Sequence, residues 1–187
     1  MPWFRRAHAR EVDWPALARR LDDAGFWRDL PDETRSANVA AVSGGASPWS
    51  TEIAETVMIM TDGEDLAEGG VERFLGELAP TLTDRGVTLD IERVGSGDGE
   101  PYAVTINGEH VELYRPADWD RLPRGLPWYQ STVRPLAALN RLLQAASAAE
   151  RFFTLGTGGN DGWALLVDPA VVDALDEAGL GSDIERI

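Results

Sequence analysis

The spacing of apolar residues predicts a chain that mixes helices with hairpins. Asp13 is a good N-cap, Pro15 is tolerated in a first turn, and Trp14, Leu17, Ala18 and Leu21 recur at helical spacing up to Gly25. Residues 26–36 read as a short helical or irregular connection. Asn38–Val42 reads as a weak strand before the loop Ser43-Gly44-Gly45-Ala46-Ser47-Pro48. Ile53–Thr61 reads as a central strand, because Val57-Met58-Ile59-Met60 is apolar on both faces. A helix from about Val71 to Arg85 would bury Val71, Phe74, Leu75, Leu78 and Leu82, with Pro80 expected to kink or split it.

Further along, Val87–Val94 alternates, with Leu89 and Ile91 on one face and Thr88, Asp90 and Glu92 on the other. Tyr102–Ile106, Asn107-Gly108 and Glu109–Tyr114 carry the Asn-Gly signature of a type I′ hairpin. A two-residue turn sets Val104 opposite Val111 and Tyr102 opposite Leu113, leaving Ala103, Thr105, His110 and Glu112 on the polar face. Residues 115–130 read as a loop, followed by a helix over about Thr132–Ala149 that turns Leu136, Leu139, Leu142 and Leu143 inward. A second hairpin joins Arg151–Leu155 to Gly162–Val167. Asp168-Pro169 opens a last helix to about Ala178. The order implies a single α+β domain over residues 1–187: a mainly antiparallel or mixed sheet, one layer packed by about four helices.

Composition narrows the chemistry. The chain has 187 residues, enough for a sizeable core, with ordinary apolar (43%) and charged (26%) fractions. Cysteine is absent, which removes disulfides, thiol chemistry and cysteine-ligated metals. All seventeen basic residues are arginine, as a GC-rich coding bias would give, so lysine Schiff bases and P-loop lysines are excluded. The start, Met1-Pro2-Trp3-Phe4-Arg5-Arg6, lacks the apolar run of a signal peptide. No stretch has the length of a membrane span, so a cytoplasmic protein is expected.

The net charge is −15, and residues 36–112 hold three Arg against fifteen Asp/Glu, a net of −12. Such a chain repels nucleic-acid phosphates and anionic membranes. Its expected partner is a basic protein.

Several groupings could carry chemistry. Asp62, Glu64 and Asp65, at the end of the apolar strand, could hold Mg²⁺ or Ca²⁺, or could simply favour the start of the next helix. His8 belongs to the Arg-rich start. His110 and Glu112 could do acid/base work or form an ordinary polar surface. Gly156-Thr157-Gly158-Gly159-Asn160-Asp161-Gly162 departs from the dinucleotide pattern, since Asp161 takes the third glycine's place and a strand follows; it reads as a hairpin loop.

Seven tryptophans are present. Trp14, Trp27 and Trp163 fit the core. Trp49, Trp119, Trp128 and Tyr129 stand beside proline and arginine, and either fold back on the core edge or offer contact anchors with Arg121 and Arg124.

No nucleophile–base pair, metal set, cofactor motif or phosphate loop emerges. In size, acidity, lack of cysteine and lack of catalytic motifs the chain resembles the small acidic α+β immunity proteins that GC-rich bacteria encode beside secreted toxins. That resemblance implies a non-enzymatic inhibitor that neutralises a basic partner. Asp90, Glu92, Glu109 and Glu112, or the Asp62–Glu68 loop, would meet the partner's cations, and no cofactor is expected. Two alternatives stand beside it: a carboxylate- or Mg-dependent enzyme, and a cytoplasmic chaperone or adaptor.

Overall fold

The computed structural model describes residues 12–50, 53, 56–95, 101–121 and 126–187, with the side chains of 119–121 and 126 outside the description. Within these residues the protein is α+β. The helices are α1 (Trp14–Asp23), α2 (Asp32–Ser43), α3 (Val71–Thr83), α4 (Pro116–Arg121), α5 (Leu126–Ala145) and α6 (Pro169–Glu177). The strands are β1 (Met58–Thr61), β2 (Ile91–Val94), β3 (Tyr102–Ile106), β4 (Glu109–Tyr114), β5 (Arg151–Leu155), β6 (Gly162–Val167) and β7 (Ile184–Arg186). They divide between two antiparallel sheets, ordered β1-β6-β5-β7 and β2-β3-β4, where a single layer was expected.

The chain forms two compact units. One takes the described residues up to Val57 together with Asp168–Ser182; the other takes Met58–Val167 and Asp183–Ile187. In the first, α1 packs on α2 and α6. The Asp13 carboxylate caps α1 by accepting from Ala16 N at 3.0 Å, and Asp168 caps α6 by accepting from Ala170 N at 2.9 Å. Trp27 is fully buried, and Trp49 folds back: its indole donates to the Leu180 carbonyl at 2.9 Å and its ring meets Phe26 edge-on.

The core of the second unit collects the stripe read from α3, namely Val71, Phe74, Leu75, Leu78 and Leu82. Val104, Val111 and Leu113 join it from the three-stranded sheet, Leu136, Leu139 and Leu143 from α5, and Phe152 and Ala164 from the four-stranded sheet. Helix α3 runs on through Pro80, with Gly76 four residues earlier placing no side chain beside the proline ring. The β3–β4 turn has φ +49° at Asn107 and +82° at Gly108, the positive pair that a type I′ turn requires.

Four expectations change. Asn38–Val42 lies in α2; Asn38 and Val42, four apart, are its buried positions, a helical spacing that a five-residue window read as strand. Of the described residues in Ile53–Thr61 only β1 is extended, and β1 is an edge strand of its sheet with Met60 55% exposed. Apolar residues on both faces therefore do not make this strand central. The loop predicted over 115–130 contains α4 and the first turns of α5. Pro116 opens α4, where its missing N–H costs nothing, and Arg115 N donates to the Asp118 carboxylate at 2.8 Å. Finally, a bulge at Tyr102/Ala103 sets Tyr102 opposite Tyr114 rather than Leu113, while Val104 does face Val111.

Candidate functional site

The register of the three-stranded sheet builds a polar outer face. Glu92 pairs across to Thr105 and Thr105 to His110; Val94 pairs to Ala103 and Ala103 to Glu112. Because side chains alternate along a strand, these six residues share one face, and Asp90 extends the β2 alternation by one step. Asp90, Glu92 and His110 are exposed, Glu112 and Thr105 are half-buried, and Val94 is one of two exposed large hydrophobics among the described residues.

Local hydrogen bonds fix this face. The Asn107 side chain accepts from Asp90 N at 2.6 Å and donates to the Thr88 carbonyl at 2.8 Å, pinning the entry to β2 against the turn. Glu112 accepts from Arg115 at 2.9 Å, and that bond, with the carboxylate's charge, raises the pKa of the Arg115 guanidinium. Among the described residues Asp90 and Glu92 have no ion-pair partner, so their charge faces water.

Glu109 is separated from this group. It shares the inner face with Val111 and pairs with Arg141 of α5. Arg93, also on the inner face, lies 5.1 Å from the Tyr102 ring centroid and 3.9 Å from Glu72. Burial raises the pKa of Tyr102, partly opposed by the Val71 backbone and the Arg93 charge.

The three candidate metal ligands have separate employments. Asp62 caps a helical turn at Gly63–Asp65, accepting from Glu64 N at 3.0 Å and Asp65 N at 3.1 Å. Asp65 pairs with Arg73 at 2.6 Å, and Glu64 accepts from Asn160 at 2.8 Å. Among the described residues no group of three or more His, Asp or Glu could hold a metal ion.

The glycine-rich segment is the β5–β6 hairpin loop. Its Gly159 carbonyl accepts from Gly63 N at 3.2 Å, and a Cβ on Gly63 would stand 2.9 Å from both that oxygen and the Trp128 Cβ, so only glycine fits there.

The aromatic anchors do not gather on a loop. Trp128 packs against the core from the first turn of α5. Tyr129 is half-buried, its pKa raised by burial and then by the Glu185 carboxylate beside it. Trp119 and Arg121 belong to α4 with side chains outside the described residues; Arg124 and His8 lie wholly outside them. In the other unit, α1 and α6 enclose a groove of about 350 Å³ with Leu17 and Ala174 in its lining and the Arg20–Glu177 pair, 2.7 Å apart, at its rim.

Comparison with protein-family models, with curated proteins and with solved structures gave no match. Among the described residues no helix is long and apolar enough to cross a membrane.

Proposed function

We propose that this chain is a non-enzymatic protein-binding domain whose acidic outer sheet face receives a basic protein, with a cytoplasmic inhibitor or immunity protein as the sharpest form of the reading. One observation carries it: Asp90 and Glu92, without an ion pair among the described residues, share one sheet face with the exposed Val94 and with Glu112 across the sheet. Binding faces commonly join a charged surround, which speeds encounter, to an apolar contact that is desolvated on docking. The charge of −15 favours a cationic partner and disfavours nucleic acid and anionic lipid.

The test is capture from the native host's lysate on the immobilised full chain, at low and at high salt, read by mass spectrometry. A stoichiometric basic protein, weakened by salt, is the expected result. Absence of a stoichiometric partner at both salts contradicts the proposal.

A further inference from the structure

Sheet edges present unpaired backbone donors and acceptors, and proteins guard them with charge, proline, bulges or a covering side chain. Among the described residues, three of the four sheet edges are guarded. On β4 the Arg134 guanidinium donates to the carbonyls of Glu112 and Leu113 at 2.7 and 3.1 Å. Strand β2 carries Glu92 and Arg93, and the three-residue β7 carries Glu185 and Arg186. Strand β1, Met58-Ile59-Met60-Thr61, has no charge and no proline, and among the described residues β6 is its only strand neighbour.

The side chains at this edge are apolar as well. At 55%, Met60 is the most exposed large hydrophobic among the described residues. The register sets it at the end of a row that crosses all four strands on one face: Met60 beside Trp163, Trp163 beside Leu155, Leu155 beside Ile184. The last three are half-buried, so the row ends at the edge strand with its most exposed member.

We propose that β1 is the edge at which an extended, basic segment of a partner protein adds as a fifth strand. This rests on the protein-binding reading and names a second contact for it. Strand addition would supply main-chain hydrogen bonds over Met58–Thr61, with an apolar side chain set beside Met60. Charge selects the occupant. The strand runs directly into Asp62 and Glu64, Asp161 is exposed on the neighbouring hairpin loop, and this unit holds ten Arg against nineteen Asp/Glu, a net of −9. A second copy would bring the same acids to the same edge, whereas arginine or lysine flanking an incoming strand would meet them favourably.

The experiment uses the isotope-labelled full chain and two short synthetic peptides, one alternating valine with arginine, the other valine with glutamate. Titration by NMR should shift the amides of residues 58–61 and slow their hydrogen exchange with the arginine peptide, with no effect from the glutamate peptide. Met60→Arg, an exposed change, should weaken that binding by about tenfold or more by placing a guarding charge on the edge. Met60→Thr should weaken it less, and Asp90→Lys/Glu92→Lys should leave it in place.

Shifts confined to the outer face of the three-stranded sheet would overturn the edge proposal and leave the protein-binding reading standing. Equal binding of both peptides, binding of neither, or binding indifferent to Met60→Arg would also overturn it. So would self-association that Met60→Arg abolishes, since the edge would then belong to a second copy.

Discussion

The two sheets of the larger unit pack against the same helix, α5, by different means. Beyond the apolar core that both share, the three-stranded sheet meets α5 through Glu109–Arg141, whose side chains remain 47% and 54% exposed, and through Arg134 on the β4 carbonyls. The four-stranded sheet meets it through Asn140, which is 9% exposed. The Asn140 amide donates to the carbonyls of Phe152 and Ile187 at 3.0 and 3.2 Å and accepts from Phe152 N at 2.7 Å. The first sheet ends in charge, on its outer face and at both edges. The second adds buried amide bonding to the core and has a row of apolar side chains running to β1, a strand without charge. Both edge strands of the first sheet therefore carry charge, whereas in the second β7 does and β1 does not.

Breaking the tie between the end of α3 and the four-stranded sheet should have the largest effect. Arg85, at the end of α3, and Glu150, immediately before β5, form an ion pair at 3.2 Å with both side chains only 8% exposed. Glu150→Ala removes the carboxylate from beside a buried guanidinium and should cost about 3–5 kcal/mol in urea unfolding. A loss under about 1 kcal/mol would show that water reaches the pair freely, as it does for surface ion pairs.

The next comparison uses one helix against both sheets. Asn140→Ala orphans the Phe152 N–H and should cost about 2–3 kcal/mol, with faster hydrogen exchange in β5 than in β3. Glu109→Gln should cost less than about 1 kcal/mol and nothing measurable at high salt. Equal losses from the two substitutions would erase the distinction drawn between the sheets.

The smallest effect concerns a tyrosine from each side. Both Tyr102 and Tyr129 keep their protons to higher pH than an ordinary tyrosine, whose value is about 10. Above that value the unfolded chain has lost protons that the folded chain retains, so stability contributed by these groups is present below pH ~10 and falls as pH rises through their folded values. Ultraviolet titration should find both shifted upward. Salt should relax the shift at Tyr129, where the Glu185 carboxylate contributes, more than at Tyr102, where burial dominates.

The sequence made some of this legible and withheld the rest for physical reasons. The α3 stripe and the Asn107-Gly108 turn are local patterns whose period or backbone demand names the structure directly. So the outer face was readable as far as Glu92, His110 and Glu112. Glu109 fails that reading because strand parity places it on the inner face, and its partner Arg141 is 32 residues away. The edge position of β1 was hidden because an apolar run looks the same whether a second neighbour covers it or not. In Trp128 the pattern of loop residues misled, since prolines at 116 and 127 open helices as readily as they interrupt them.

On the proposed function, the outer face of the three-stranded sheet recruits a basic protein. That recruitment is tested most directly by capturing from host lysate on the wild-type chain and on Asp90→Lys/Glu92→Lys side by side at low salt. Both substituted residues are exposed and free of ion pairs among the described residues, so the variant should fold with unchanged thermal stability. A stoichiometric basic partner is expected on the wild type, with at least about a tenfold reduction on the variant. Equal recovery of that partner on the two proteins would contradict the proposal.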